Sequence, residues 1–235
     1  MAARLPAEFP QRTADTIIHG YQAVRATARR HAARSTQAAP ADTCGTVQVR
    51  HLLTGTLISH PLSNRRARPA DADALALVGQ ATFLETFAGI LDGGAIVAHC
   101  ARAHAAAQYR AWLHDPDAAI WLAETAVGNA PVGYAVVARP QLPGADPARD
   151  LELKRIYLLG RFHGGGAGKR LMAEAVEYAR AAGADRLLLG VYSGNESALG
   201  FYKRQGFVHL THRQFNVGGT LYDDHVLSLP LAGRV

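Results

Sequence analysis

The sequence has few cysteines and no long apolar run. Its 235 residues include two cysteines, Cys44 and Cys100, which allow at most one disulfide and no zinc site of four thiolates. We therefore expect free thiols and a reducing, cytoplasmic location. No uncharged apolar stretch reaches the roughly 18 residues that a membrane span needs, and no apolar segment resembles a secretory signal. The sequence predicts no membrane partner.

Metal-binding and nucleic-acid-binding patterns are also missing. There are 11 histidines, but no H-E-x-x-H motif and no paired Cys/His spacing, and His99 and His104 have no third ligand near them in the sequence. We expect no metal site. The net charge is +6, of which residues 1–61 carry +4 and residues 62–235 carry +2. Because a nucleic-acid-binding domain concentrates charge on a folded face, the sequence predicts no nucleic-acid partner.

Two regions differ in composition. Residues 1–61 are rich in Ala, Arg, Thr and His, with four prolines as breakers, and we predict a mobile basic N-terminal extension. Residues 62–235 carry alternating helical and strand patterns, and we predict one mixed α/β domain of the α+β type. The first predicted helix begins at Asp71 and has Leu75, Val78, Thr82 and Phe83 on one face. Two further helices cover 95–113 and 196–205, and another follows Lys169 and stops at Gly183. Predicted strands cover 64–69, 120–125, 132–138, 151–159, 186–192, 207–211 and 221–229.

A glycine-rich turn joins the predicted strand 151–159 to the following helix. It reads His163-Gly164-Gly165-Gly166-Ala167-Gly168-Lys169. A helix N-terminus offers unpaired N–H groups and a positive dipole end, and glycine lets a ligand approach the backbone, so the turn predicts an anion site. The Walker motif fails because His163 stands at its first glycine and Arg170 follows Lys169. The G-x-G-x-x-G pattern fails because Lys169 or Leu171 stands at its last position.

The turn resembles the [Q/R]-x-x-G-x-G/A loop of the GNAT N-acetyltransferases, with His163 in place of the usual Gln or Arg. Downstream, 195–207 reads NESALGFYKRQGF and is similar to the N-x-x-A-x-x-F-Y-x-x-x-G-F element of that superfamily. The resemblance covers about 62–231. Within the superfamily, the chain is most similar to the bacterial polyamine (PaiA-type) acetyltransferases. This similarity rests on three segments, Phe83-x-x-Thr86-Phe87, LELKRIY at 151–157 and LGVY at 189–192.

The resemblance implies a GNAT fold, in which a twisted mixed sheet splays open between its central strands and carries helices on both faces. Acetyl-CoA, the co-substrate, would lie between strands 151–159 and 186–192. Main-chain groups of Ile156, Tyr157 and Leu158 would pair with the pantetheine arm like an added strand. Asn195 would contact the pantetheine region, and Arg204 would reach a phosphate of the nucleotide end. The loop would hold the pyrophosphate through His163, Gly164, Gly165, Gly166, Ala167, Gly168 and Lys169.

The chemistry implied is acetyl transfer to a primary amine, such as the polyamines spermidine or spermine. The amine must lose a proton and the leaving thiolate should gain one. Tyr202 resembles the family's general acid, although it could simply pack as an aromatic residue. Glu152 is the candidate base, acting through a water. Carboxylates that could bind a polyamine are Glu85, Asp92, Glu152, Asp223 and Asp224. Alternatives are another small amine, a protein amine, or an acyl-CoA sensor without turnover, and a homodimer is compatible with each.

Overall fold

The computed structural model describes residues 61–231, which form seven strands and five α-helices. The predicted extension at 1–61 lies outside the described residues except for Pro61, as does Cys44, and Cys100 is a free thiol. The strands are β1 Leu62–Arg66, β2 Ala119–Thr125, β3 Pro131–Ala138, β4 Asp150–Leu158, β5 Arg186–Tyr192, β6 Val208–Val217 and β7 Thr220–Pro230. The helices are α1 Ala72–Phe87, α2 Gly93–Ala103, α3 Ala106–His114, α4 Ala167–Ala181 and α5 Glu196–Arg204.

The seven strands form one mixed sheet in the order β1-β2-β3-β4-β5-β7-β6. Neighbouring strands are antiparallel except for the central pair, β4 and β5, which is parallel. The β4–β5 register contains only three pairs and ends at Glu152–Leu188, after which the strands diverge. Arg186 fastens the paired end, donating to the Asp150 carboxylate at 3.0 and 2.6 Å. The predicted mixed sheet with a splayed central pair is confirmed.

Helices cover both faces of the sheet because apolar side chains alternate to both sides of the central strands. On one face, α4 packs Leu171, Met172 and Ala175 onto the strands, in the same cluster as Tyr202 of α5. On the other face, α1 and α3 pack against β2 and β3. Over residues 61–231, none of the helices combines the length and apolar character needed to cross a bilayer.

A buried polar network lies on the α1–α3 face. The Arg155 guanidinium donates to the Tyr109 hydroxyl at 2.9 Å and to the Ala103 carbonyl at 2.8 Å. The Tyr109 hydroxyl in turn donates to that of Tyr134 at 2.9 Å. Burial, reinforced by the nearby Arg155 charge, lowers the pKa of His99 to about 4. The His99 imidazole is therefore neutral at pH 7 and adds no second positive charge beside Arg155.

The same network interrupts a helix that the sequence predicted as continuous. The prediction of one helix over 95–113 is wrong, because α2 and α3 are separate helices. The Ala103 carbonyl accepts from Arg155, and the His104 carbonyl accepts from Gln80 Nε2 at 3.1 Å. A continuous helix would need both carbonyls for its own i to i+4 bonds. Tertiary hydrogen bonds therefore accompany the break between α2 and α3.

Two other boundaries differ from the prediction. Strands β6 and β7 are longer than expected and form a hairpin whose turn is Gly218-Gly219, with φ angles of +61° and +90°. The exposed polar positions of β6 read as loop in the sequence. The predicted turn before Pro131 is confirmed, since Gly128 and Asn129 both have positive φ, 78° and 50°.

Gly79 allows α1 to approach the polar network. A Cβ at this position would overlap the Tyr109 hydroxyl and lie 2.6 Å from His104 Nδ1. We expect Gly79→Ala to destabilise the fold by about 1–3 kcal/mol through overpacking, which lowers the Tm by several degrees. Helix propensity alone predicts the opposite sign, a gain of up to about 1 kcal/mol. Thermal unfolding followed by circular dichroism measures the effect.

Gly200→Ala in α5 is the matched control. A Cβ there would meet only the flexible end of Arg204, at 3.4 Å, so this variant should keep or raise the Tm. Equal Tm changes in the two variants would contradict the packing argument at Gly79.

Candidate active site

A cleft opens where β4 and β5 diverge. It encloses about 350 Å³ and lies between β4, the glycine loop and α5. The lining residues are Thr86, Ile156, Tyr157, Leu158, His163, Gly164, Gly166, Gly168, Lys169, Ser197, Ala198, Phe201 and Arg204. Nine of these are among the residues that the sequence predicted for the cofactor. The remaining predicted residues, Gly165, Ala167 and Asn195, do not line the cleft.

The glycine loop holds the start of α4 against this cleft. Gly164 and Gly166 have φ angles of +84° and +77°, which non-glycine residues rarely adopt. Gly166 is the N-cap of α4. Its carbonyl oxygen accepts a hydrogen bond of the helical i to i+4 type, from Arg170 N at 3.0 Å. The amide N–H groups of the first turn, at 167–169, therefore have no acceptor within the helix and lie at the positive end of the helix dipole. This arrangement suits a phosphate group.

His163 connects the loop to the end of β4. Its Nε2 lies 2.8 Å from the Leu158 carbonyl oxygen, so a hydrogen on Nε2 would donate to that carbonyl. The position is occupied by Gln or Arg in the motif that the sequence resembles. A histidine at this position therefore restrains the loop relative to β4 by one side-chain hydrogen bond.

Asn195 carries an unpaired buried donor near the cleft. Its Oδ1 caps α5 by accepting from Ala198 N at 3.1 Å, whereas its Nδ2 is buried with no hydrogen-bond partner. An unpaired buried donor costs about 1–3 kcal/mol. A ligand that accepts from Nδ2 would remove that cost, which fits the pantetheine contact expected of Asn195.

The α5 residues that sequence analysis missed follow from helical spacing. Ser197, Phe201 and Arg204 recur at intervals of four and three residues, so they share one helix face, and all three line the cleft. Only Arg204 was predicted. Ser197 and Phe201 lie in the same quoted motif, and the helical period would have identified them. Thr86, at the end of α1, lines the cleft from the opposite side.

Tyr202 lies on the neighbouring face of α5. It is fully buried, and its ring packs against Phe201 and Phe207 at centroid distances of 5.4 and 5.7 Å. Burial, and then the nearby Tyr157, raise the pKa of the Tyr202 hydroxyl well above its usual value. The phenol therefore carries its proton at neutral pH. Tyr202 is not among the residues that line the cleft, although its neighbours Ala198 and Phe201 are.

Glu152 does not occupy an accessible position. Its carboxylate is fully buried and accepts from Lys154 Nζ at 2.6 Å and from Gln141 N at 2.7 Å. It lines neither this cleft nor the pocket described next. The carboxylate is therefore enclosed by two donors and is not presented to a substrate in either space. Its role as the base stays a prediction.

A second, mostly apolar pocket adjoins the cleft at the end of α1. Its lining is Phe87, Ile90, Leu91, Tyr192, Phe215, Val217, Tyr222 and Asp224. Thr86 of the cleft and Phe87 of this pocket are consecutive, and the Asp224 charge contributes to the raised pKa of Tyr157 in the cleft, after burial and other groups. The two spaces therefore lie side by side.

Asp224 is the one charged residue in the lining of that pocket. Its Oδ2 accepts from Arg213 Nε at 3.1 Å and Nη2 at 2.9 Å. Burial raises the pKa of Asp224, and Arg213 opposes the rise. The other acidic residues that the sequence suggested for a polyamine already accept hydrogen bonds. Glu85 accepts from Gly160 N, Asp92 from Ala95 N and Asp223 from Gln214 Nε2.

Comparison with known proteins agrees with this architecture. Residues 84–207 match the model of the acetyltransferase (GNAT) family. An uncharacterized N-acetyltransferase of Mycobacterium tuberculosis is 34% identical over 157 residues, which span 67% of this chain and 96% of the relative. The chain belongs to the GNAT acetyltransferase family. It is accordingly an enzyme of the acyltransferase class.

Solved structures with lower identity share the fold. The PaiA N-acetyltransferase of Thermoplasma acidophilum, solved in complex with coenzyme A, has a TM-score of 0.59 at 19% identity, covering 72% of this chain and 99% of that one. A ribosomal-protein-alanine N-acetyltransferase of Brucella melitensis has a TM-score of 0.56 at 24% identity, covering 72% and 99%. These likenesses concern the fold alone, since the two proteins are named for different acceptors.

We expect Gly166→Ala to weaken acetyl-CoA binding about tenfold. A left-handed conformation costs a residue with a side chain roughly 1–2 kcal/mol. The exposed loop can avoid this cost only by moving the first amides of α4. Gly165→Ala adds the same atom next door, where φ is not positive and no atom lies within 4 Å of the added Cβ. Calorimetric titration with acetyl-CoA measures both affinities, and equal losses in the two variants would refute the role of the Gly166 conformation.

Proposed function

We propose that this enzyme transfers the acetyl group of acetyl-CoA to a primary amine. The observation that carries the proposal is the cleft at the β4–β5 divergence, which ends on the glycine loop and the N-terminus of α4. Acetyl-CoA supplies an activated acyl group as a thioester. The family membership supports acyl transfer, and the cleft supports a long, thin donor with an anionic segment.

Several residues of this chain suit the binding of that donor. Main-chain groups of Ile156, Tyr157 and Leu158 lie on the side of β4 that β5 leaves uncovered and would pair with the amides of the pantetheine arm. The first amides of α4 and the Lys169 side chain would bind the pyrophosphate, and Arg204 would bind a phosphate. Asn195 Nδ2, which is buried without a partner, would donate to the pantetheine.

The Tyr202 phenol is our candidate general acid. It holds its proton at neutral pH, as an ordinary tyrosine does, and could give it to the departing thiolate, while the raised pKa makes it a weaker acid than an exposed phenol. Tyr157, which lines the cleft, contributes to the raised pKa of Tyr202, so the two phenols lie near each other. Because Tyr202 is fully buried and does not line the cleft, contact with the thioester sulfur requires that the side chains between Tyr202 and the cleft move when the donor binds.

The apolar lining of the second pocket favours an acceptor amine that carries an apolar group. The pocket encloses about 10 Å³, the space of one water molecule, so its side chains would have to move to admit that group. Its lining offers aromatic and aliphatic side chains with one carboxylate, Asp224, which would face the amine nitrogen. A polyamine has several cationic centres and would need several free carboxylates. Glu85, Asp92, Glu152 and Asp223 line neither the cleft nor the second pocket, so Asp224 is the one carboxylate that the lining offers. The side chains therefore favour a monoamine with an apolar substituent over spermidine or spermine.

An acceptor panel tests this choice. Release of the CoA thiol is measured with acetyl-CoA and 2-phenylethylamine, spermidine, or a peptide with a free N-terminal amine. We expect kcat/KM for 2-phenylethylamine to exceed that for spermidine at least tenfold, since each buried apolar group adds about 1.5–3 kcal/mol. Preference for spermidine would refute the apolar acceptor and support the polyamine alternative. Tight acetyl-CoA binding without release for any amine would refute amine transfer and favour an acyl-CoA sensor.

Tyr202→Phe tests the general acid. The variant keeps the ring and its packing and removes one proton donor. We expect kcat to fall about 10²-fold, the lower end for a general acid, because a thiolate is a good leaving group. Acetyl-CoA affinity should stay within a few-fold of wild type.

Tyr178→Phe is the control, because that phenol lies on α4 beside Trp121, with ring centroids 5.7 Å apart, and does not line the cleft. Steady-state kinetics with the best acceptor of the panel compares the two variants. A Tyr202→Phe enzyme that retains most of its turnover number would show that another group protonates the thiolate, or that none does.

A further inference from the structure

Three histidines of the β6–β7 hairpin converge on one face of the sheet. They are His209 and His212 of β6 and His225 of β7. One ring nitrogen from each can be chosen so that all three lie within 4.8 Å of one another. The ring centroids are 4.4, 5.3 and 4.9 Å apart in the three pairs. This cluster has no part in the cleft or in the second pocket.

A β-bulge builds the cluster. The register between β6 and β7 shifts between His209 and Thr211, so Leu210 is the extra residue. Residues three apart in a regular strand point to opposite faces, and a bulge restores them to the same face. Leu210 packs with the apolar group of Leu142, Leu188 and Val226 on the other side of the sheet. His209 and His212 therefore share a face, and His212 pairs directly with His225.

The ring nitrogens are available for a ligand. His225 Nδ1 is buried and has no hydrogen-bond partner among residues 61–231, which leaves a polar atom with an unmet requirement. His209 and His212 are exposed, so an ion could enter from solvent and keep a water as a further ligand. In its neutral form, imidazole is the commonest metal ligand that proteins use, and it suits zinc, copper and nickel.

We propose that His209, His212 and His225 bind a divalent transition-metal ion, for which zinc is the probe, and that the ion fastens β6 to β7. Tetrahedral zinc with Zn–N bonds of about 2.0–2.1 Å brings ligand nitrogens to about 3.4 Å from one another. The nitrogens, which lie within 4.8 Å of one another, need to close by up to about 1.4 Å, through rotation of the two exposed side chains. The metal takes no part in acetyl transfer, and the site stands independently of the proposed function.

The position of the cluster gives the ion a structural consequence. His212 precedes Arg213 on β6, and His225 follows Asp224 on β7. Across the strands, His212 pairs with His225 and Arg213 pairs with Asp224. Phe215 and Tyr222, a further pair of the same register, line the second pocket. An ion on the histidine face would fix the register of the two strands whose opposite face bounds that pocket.

Zinc titration of the full 235-residue chain without a histidine tag tests the site, after treatment with a chelator. We expect calorimetry to detect about one zinc ion at this site and the Tm to rise with zinc, because a ligand of the folded state stabilises it. His212→Gln and His225→Gln should each weaken that binding at least tenfold and abolish most of the Tm rise. Circular dichroism without zinc verifies that the variants fold, and the exposed His212 provides the test if His225→Gln does not.

His114→Gln is the matched control. His114 is an exposed histidine on α3, with Nδ1 2.7 Å from the Arg110 carbonyl oxygen, and its loss should leave zinc binding unchanged. Zinc binding that is equal in wild type, His212→Gln and His225→Gln would overturn the proposal and assign the binding to other histidines. Absence of binding by the wild-type chain would overturn it as well.

Discussion

The short parallel pairing between β4 and β5 is the constraint on which the rest of the molecule depends. Three residue pairs join the strands, and Arg186 holds the paired end through Asp150. Beyond Glu152 and Leu188 the strands diverge, so the sheet cannot close across its centre. The gap is bounded by the glycine loop that follows β4 and the helix that follows β5. Longer pairing would close the cleft, and the short pairing acts together with α4, which packs on strands of both halves, to fix the two halves of the sheet relative to each other.

Much of the fold, and the part of the cleft expected to bind the cofactor, could be predicted from local sequence patterns. Gly164 and Gly166 adopt left-handed backbone conformations that favour glycine, so the sequence itself marks the turn. The apolar period of α4 likewise predicts the face that it buries. Long-range partners were beyond such reasoning. Arg155, about 50 residues downstream of α2, binds the last carbonyl of that helix where it breaks from α3, and nothing near residue 103 in the sequence indicates this contact.

The acceptor side and the histidine cluster depend on such distant partners even more. Asp224 bounds the second pocket, while Glu152 is enclosed by Lys154 and a backbone amide of a loop. The sequence could not separate the two carboxylates, because their surroundings come from different strands. The expectation of no metal site considered histidines near one another in the chain. His225 lies 13 residues after His212, and only the hairpin register and the bulge bring them together.

The open side of β4 has a further meaning for aggregation. An uncovered strand edge is a template on which another polypeptide can pair, and proteins commonly shield such edges. This chain keeps one in the middle of its sheet, where flanking side chains leave a narrow gap. A second protein strand carries side chains on both faces, and these would have to share the 350 Å³ of the cleft. A slender, flexible arm with few substituents can enter, so the fold discriminates by the cross-section of a ligand before any hydrogen bond forms.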